Sequence, residues 1–303
     1  MNDPGENWSY AKLSNYRGYT DINMKMNLQI FSAVNPKNNI QAFRELIVIL
    51  KRHRQLIVEM AKREINDRYA GQIFGYFWTF VHPLILILLY SVVFGFIFQS
   101  SVSGPMNYVV FLLAGLIPWL TFQEVMGKAT TLINNNANIV KQVIFPIEVL
   151  PIKGVLAAVV TQIVFFGLLV IYIFITGRFP LFTYLLLPII ILVQIAGMIG
   201  ISFILCAISP YFRDTKDFVQ IFVTVSFFAM PMIYSPSALP PIVKYIFYIN
   251  PFSYMIWCYQ DILFYGRFQH PWSWVIFSVT SLLTFVFGYR LFRKLKVMFG
   301  NVL

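Results

Sequence analysis

The side chains able to do chemistry in this sequence are few and scattered. His53, His82 and His270 lie far apart, and no Cys, His or Asp cluster has the spacing of a metal site. Gly127-Lys128 lacks the upstream glycine and the following Ser or Thr of a phosphate loop. ATP hydrolysis by that route is therefore not expected here. No G-x-S-x-G nucleophile elbow occurs. Ionisable residues inside apolar runs are equally sparse. Glu124 falls near the end of one run and His82 near the start of another, close to where a membrane meets water. Gln123, Gln162 and Gln194 can hydrogen-bond between helices. This pattern points away from an enzyme and gives a proton- or sodium-driven carrier little to work with. Transport powered from outside the chain fits better.

The elements that carry these residues are membrane helices. Of 303 residues, 58% are hydrophobic and 12% charged, half the usual charged share of a soluble domain. Mean hydropathy is +0.70. Six apolar runs follow one another: Thr79–Phe98, Tyr108–Val125, Val155–Ile175, Tyr184–Ile208, Phe218–Tyr234 and Trp272–Leu291. Each is close to the ~20 residues that cross a hydrocarbon core. The expected fold is all-α, an integral membrane protein with six transmembrane helices. Placing both termini in the cytoplasm puts 20 of the 23 Lys and Arg inside, as the positive-inside rule requires. The net charge of +11 then reflects topology and anionic lipid, and no nucleic-acid partner is expected. Cys206 and Cys258 fall toward opposite faces and read as two unpaired apolar side chains.

Three segments flank or interrupt the runs. Residues 1–41 form a polar cytoplasmic tail, either mobile or docked on a partner through Trp8, Tyr10, Tyr16 and Tyr19. Residues 42–69 place apolar side chains on one helical face and basic ones mostly elsewhere, which reads as an N-terminal amphipathic interface helix; a solvated soluble helix is the alternative. Residues 235–271 are rich in aromatics and punctuated by Pro236, Pro240, Pro241 and Pro251. They read as two short re-entrant helices, an interfacial aromatic belt, or both.

Four motifs carry a family resemblance. Arg63-Glu64-Ile65-x-x-Arg68-Tyr69, followed by Gly75-x-x-Trp78-x-x-x-x-Pro83-Leu84, resembles the entry to the first span of ABC-2 type exporter permeases. Phe145-Pro146-x-Glu148-Val149-Leu150-Pro151 is similar to their connection between the second and third spans. Arg213-Asp214-Thr215-x-Asp217-Phe218 is similar to their turn into the fifth span. Met230-Pro231-x-Ile233-Tyr234 with Asn250-Pro251-Phe252 resembles the outer end of that span and the re-entrant segment. Together they define a transmembrane domain over 42–300, most like permeases that export O-antigen, capsule or teichoic acid.

The resemblance implies a multi-pass homodimer in the bacterial inner membrane, paired with two copies of a nucleotide-binding ATPase subunit. ATP and Mg would belong to that partner, with no cofactor in this chain. The cargo would be a lipid-linked glycan. A coupling helix within Leu132–Val143 would present Asn136, Ile139, Val140 and Lys141 to the ATPase, with the interface helix as a second contact. A lipid-borne phosphate would meet an entry gate at Arg63, Arg68 and Tyr69, since Arg binds phosphate bidentately. Alternatively, the two arginines pair with membrane lipid, Glu64 or Asp67. Aromatic faces pack on sugar C–H faces, so Tyr76, Trp78, Tyr90, Phe94, Phe227, Phe228 and Tyr234 are candidates to line the path; otherwise they pack or face lipid. Arg213 with Asp214 or Asp217 reads as a structural ion pair at the fifth helix. The competing functions are a drug, haem or lipid exporter of the same fold, a self-contained secondary transporter or channel, and a structural scaffold.

Overall fold

The computed structural model describes residues 48–90, 92–93, 105–141, 145–176, 182–233 and 241–303; within these, the side chains of 69, 76, 105–107, 241–244 and 301 are not described. Helices dominate, and no strand occurs among the described residues. In chain order they are α1 (Arg54–Tyr69), α2 (Trp78–Tyr90), α3 (Pro105–Asn135), α4 (Ala137–Val140), α5 (Val149–Ile175), α6 (Leu187–Ile208), α7 (Thr215–Phe228), α8 (Pro241–Ile249), α9 (Pro251–Gln260), α10 (Pro271–Leu295) and α11 (Phe299–Val302). By length and composition, four are able to cross a membrane: α3, α5, α6 with the short turn before it, and α10. Within the described residues α2 is apolar but only 13 residues long.

Several boundaries differ from those expected. The second run was expected to end at Val125, but α3 continues to Asn135. Its charged residues do not end the helix because Glu124 and Lys128 meet opposite charges on α1. The third helix starts at Val149, before the expected Val155. The fifth spans only Thr215–Phe228 instead of Phe218–Tyr234. Pro231, which has no N–H to donate, lies in the turn that follows. The expected coupling segment Leu132–Val143 contains one short separate helix, α4, among its described residues. Its first residues finish α3, Asn136 donates its side-chain N–H back to Leu132 O at 2.8 Å, and α4 begins at Ala137. Residues 42–47 of the interface helix and 142–144 lie outside the described residues.

At the centre of the bundle stands α3. In its most apolar stretch 83% of residues are buried, against 39–50% for the other three long helices. It packs on α5, α6, α7 and α9. Eight of the ten residues of α9 are buried. Phe252, near its start, sits edge-on to Trp119 and Phe122 at 5.4 and 5.2 Å. At its end, Gln260 donates to Phe111 O at 3.5 Å and Pro231 O at 2.9 Å. So α9 runs antiparallel to α3 over some ~12 Å, at ~1.5 Å per residue. The chain turns into it at Asn250, whose Oδ1 accepts from Phe252 N at 3.0 Å and whose Nδ2 donates to Ala229 O at 3.2 Å. That is an N-cap with Pro at the first helical position, a strong start signal.

Two contacts fix the remaining long helices. Between α5, α6 and α9 lies a buried polar knot. Gln162 Nε2 donates to Gln194 Oε1 at 2.8 Å, the Tyr259 hydroxyl donates to the same oxygen, and Gln194 Nε2 reaches Pro118 O at 3.3 Å. Gln162 and Gln194 thus bridge helices as expected. The second contact joins α6 to α10 through small residues, the device membrane helices use for close approach. A Cβ on Gly288 would fall 2.2 Å from Gly200 O, and one on Gly200 would fall 2.5 Å from Phe285 N. Cys206 and Cys258 are both free and buried.

Replacing Gly200 or Gly288 by Leu forces these backbones apart. An overpacking cost of about 3 kcal/mol is expected. Size-exclusion profiles of the detergent-solubilised protein should show loss of the monodisperse peak. Gly167→Leu, where a Cβ meets nothing within 4 Å, should keep it.

Candidate functional site

A cavity of about 690 Å³ opens between α1, α2, α3 and α5, at the end of the bundle that carries Lys128 and Lys153. The chain reaches it by a sharp reversal after α1, with Gly71 at φ 77° and Gly75 at φ 47°, conformations that favour glycine. Arg68, in the last turn of α1, forms one wall, and Trp78, Thr79 and His82 at the start of α2 form another. Gln123 and Glu124 of α3 and Thr161 and Phe165 of α5 complete it.

Arg68 holds the site together. Its Nη2 donates to Glu124 Oε1 at 2.5 Å and its Nη1 to Thr161 Oγ1 at 3.0 Å. Behind it the charges alternate. Lys128 lies 3.1 Å from the same Glu124 oxygen and 3.3 Å from Glu64 Oε1, and Lys153 lies 3.1 Å from Glu64 Oε2. Three cations face two carboxylates, leaving one positive charge in excess. Burial opposes ionisation of Glu64, but Lys128 and Lys153 outweigh it and hold its pKa below the usual carboxylate value. Five buried side-chain polar atoms lack a partner among the described residues, and of these only Thr79 Oγ1 belongs to a residue lining the cavity. The wall thus offers a guanidinium, hydroxyls, amides and an indole: the groups that bind a phosphate joined to a hydroxyl-rich body.

The expected site residues divide. Arg68 and Trp78 line this cavity. Arg63 does not: its side chain is 82% exposed and lies 3.6 Å from Asp67, the alternative partner anticipated for it. Tyr90 lies a dozen residues further along α2, against Tyr108, Phe111 and Leu112. Phe227 and Phe228 pack edge-on to each other at 5.2 Å on α7. The aromatic candidates that can be placed do not form one wall within a single chain. The side chains of Tyr69 and Tyr76, and residues Phe94 and Tyr234, lie outside the described residues. Asn136 and Ile139 are half-buried, Val140 is buried and Lys141 is exposed beside a second cavity, which Phe145, Glu148 and Lys296 also line. The anticipated ion pair of Arg213 with Asp214 or Asp217 does not form among the described residues. Asp214 instead holds the N-cap position without a side-chain hydrogen bond, and Asp217 places its charge in the first turn of α7, where the helix dipole favours it.

Sequence reasoning did not find Thr161, Lys128 or Lys153 as parts of this site. The signal was present as paired spacing: Glu64 and Arg68 on one helix, Glu124 and Lys128 on another, each four residues apart and opposite in sign. It also did not find Asp261. This buried carboxylate accepts from His270 N at 3.0 Å and Trp274 Nε1 at 3.2 Å, and its Oδ1 lies 2.9 Å from His270 Nδ1, tying the end of α9 to the start of α10.

A lowered pKa for Glu64 means that its ion pairs stabilise the fold at pH values above the ordinary carboxylate value of 4.5. That contribution is lost as pH falls below it, through the lowered pKa. For a half-exposed cluster it amounts to about 1 kcal/mol. Glu64→Gln should therefore melt a few degrees below the parent protein at pH 7 (~2–4 °C), and the two melting curves should converge as pH falls below the ordinary carboxylate value and through the lowered pKa of Glu64. A gap unchanged across that range would show that packing, not charge, is what the substitution removes.

The sequence profile described as "ABC-2 type transporter" matches residues 55–264, from the start of α1 to the turn after α9. The O-antigen export system permease protein RfbA of Klebsiella pneumoniae is 27% identical over 249 residues, 82% of this chain and 95% of the relative. RfbA of Myxococcus xanthus is 27% identical over 224 residues, 73% of this chain and 85% of the relative. The capsule polysaccharide export inner-membrane protein CtrC of Neisseria meningitidis is 29% identical over 198 residues, 63% of this chain and 70% of the relative. The profile takes in all four helices that wall the cavity and well over half of the 303 residues, and the chain belongs to the ABC-2 type transporter family.

Proposed function

We propose that this chain is the membrane-spanning permease of an ABC exporter that moves a lipid-linked polysaccharide, O-antigen first among them, across the inner membrane. The observation that carries this reading is the cavity at Arg68, which a guanidinium, hydroxyls and an indole line together. The relatives' names supply the cargo class. The head-group phosphate of the carrier lipid binds Arg68 at the membrane edge, and the glycan follows past Trp78. Capsule polymer is the second reading, supported by the 29% identity to CtrC.

In this reading the segments that contain α2 and α7 are the first and fifth of six spans. Both termini are cytoplasmic, with residues 1–41 forming a cytoplasmic tail, and α8 and α9 are re-entrant from the far side. Two copies of the chain form the pathway. The exposed apolar side chains Leu84, Ile85 and Leu88 on α2, and Phe218, Ile221 and Val225 on α7, suit either lipid or a second copy. ATP and Mg act in a separate nucleotide-binding subunit, contacted by α1 and by α4 with Lys141. The chain itself carries no catalytic residue.

The test is ATPase activity of the chain co-purified with its nucleotide-binding subunit in lipid discs. Lipid-linked glycan should stimulate turnover several-fold. Arg68→Gln and Trp78→Ala should each remove most of that stimulation, while Arg63→Gln, on the exposed side of α1, should leave it intact. A stable complex indifferent to glycan would reassign the cargo. The absence of any complex would return the reading to a self-contained transporter.

A further inference from the structure

Glu124 stands where an anionic ligand of Arg68 would bind. It comes from a different helix, 56 residues away, and contacts the guanidinium through one oxygen only. Lys128 approaches that same oxygen at 3.1 Å. Arg68 thus divides its fork between a monodentate carboxylate and the Thr161 hydroxyl, which Nη1 reaches at 3.0 Å, whereas a phosphate fills such a fork bidentately. The pair forms part of the cavity wall and keeps about a quarter of each side chain exposed (23% and 28%), so a ligand can reach it without opening the core.

The charges behind it form one line: Arg68, Glu124, Lys128, Glu64, Lys153. Signs alternate along it, and each neighbouring pair lies within 3.3 Å. The line crosses between α1 and α3 twice, through Arg68–Glu124 and Glu64–Lys128, and then reaches α5 at Lys153. Lys128 is shared by two carboxylates and Glu64 by two lysines. Any change of partner at one end therefore redistributes partners along the line.

We propose that Glu124 is a resident counter-ion that the phosphate or pyrophosphate of an arriving lipid carrier displaces from Arg68. The displaced carboxylate draws Lys128 to itself and away from Glu64, which keeps Lys153. Occupancy of the cavity thereby loosens α1 from α3 while leaving it tied to α5. The inference rests on the reading of Arg68 as the phosphate partner and adds how its occupancy is sensed. No bond is made or broken, and the surplus positive charge of the cluster is what the ligand neutralises.

The two ideas separate in one experiment on the full-length chain in phosphatidylcholine discs. Farnesyl pyrophosphate is the probe, and inorganic pyrophosphate is the control. Glu124→Gln keeps the shape of the side chain, and α1 stays tied through Glu64 to Lys128 and Lys153. If Glu124 competes with the ligand, the variant binds farnesyl pyrophosphate about five- to tenfold more tightly than the parent, and Arg68→Gln loses binding. Equal or weaker binding by Glu124→Gln, with Arg68→Gln still inactive, overturns the displacement while keeping the phosphate site. Unchanged binding by Arg68→Gln overturns both. Inorganic pyrophosphate binding as tightly as the prenylated form overturns the lipid source. A spin-label distance between Lys62→Cys on α1 and Gly127→Cys on α3, both exposed positions, supplies the second readout. It should lengthen on adding farnesyl pyrophosphate, and a distance that stays fixed at saturation overturns the loosening of α1.

Discussion

A polar group in the apolar interior of a helix bundle has no water to fall back on, and its partners must be protein atoms. The knot of Gln162, Gln194 and Tyr259 is where that constraint acts most strongly here. All three side chains are buried, and each bonds another. Gln194 also answers the carbonyl of Pro118, the residue at which α3 gives up a backbone N–H. One cluster thus fixes α5, α6 and α9 against the central helix. Had α9 packed elsewhere, the Tyr259 hydroxyl would lose its Gln194 partner, and Gln194 Oε1 one of its two donors, in the core. The position of the α8–α9 hairpin follows from that cost, and so does the room that Gly115 leaves for Ile256, whose Cγ2 would lie 2.7 Å from a Cβ there.

At the basic end the same constraint has a different solution. Glu64, Glu124, Lys128 and Lys153 are partly wet, and their pairs are made by long, flexible side chains. Such pairs hold helices with less force than a buried amide knot and tolerate exchange of partners. Glu148 and Lys296 do the same between the start of α5 and the residue after α10, although there the carboxylate is buried. Charge therefore sets the packing where water can reach, and amides and small residues set it where water cannot.

This division explains what could be read from the sequence. The long spans were legible because a membrane helix is apolar both where it packs on protein and where it faces lipid, which leaves continuous apolar runs, and the amide bridge was legible because glutamines inside such runs have few other uses. The length of α3 was not, since Glu124 and Lys128 look like the end of a span until Arg68 and Glu64 are known to face them. Arg63 and Arg68 looked equivalent, yet five residues on a helix turn the side chain by roughly 140°, which puts one in the cavity and the other in the open. The aromatics were least legible. With 31 Phe, 17 Tyr and 6 Trp in the chain, type alone does not separate a wall residue such as Trp78 from a packed one such as Trp119. The role of Asp261 was hidden because its partners are a backbone N–H, an imidazole and an indole, which carry no opposite formal charge to pair with by eye.

Two kinds of contact imply two kinds of behaviour. Where a Cβ would meet backbone at 2.2–2.5 Å, as between α6 and α10, the helices have no freedom to slide, because any shift either collides or opens a gap. The amide knot joins α5 and α9 to that pair, so α5, α6, α9 and α10 form one stiff unit around α3. By contrast, α1 is held by salt bridges and by a few apolar side chains such as Ile57 and Ala61, while α2 and α7 carry large exposed apolar surfaces. A transporter must change shape somewhere, and the energetically cheap place is where partners can be exchanged rather than where backbones touch. The cavity at Arg68 lies on that boundary, with α5 of the stiff unit on one side and α1 and α2 on the other. A ligand bound there contacts both, and its differential contacts with the two are what an ATP-driven partner could exploit.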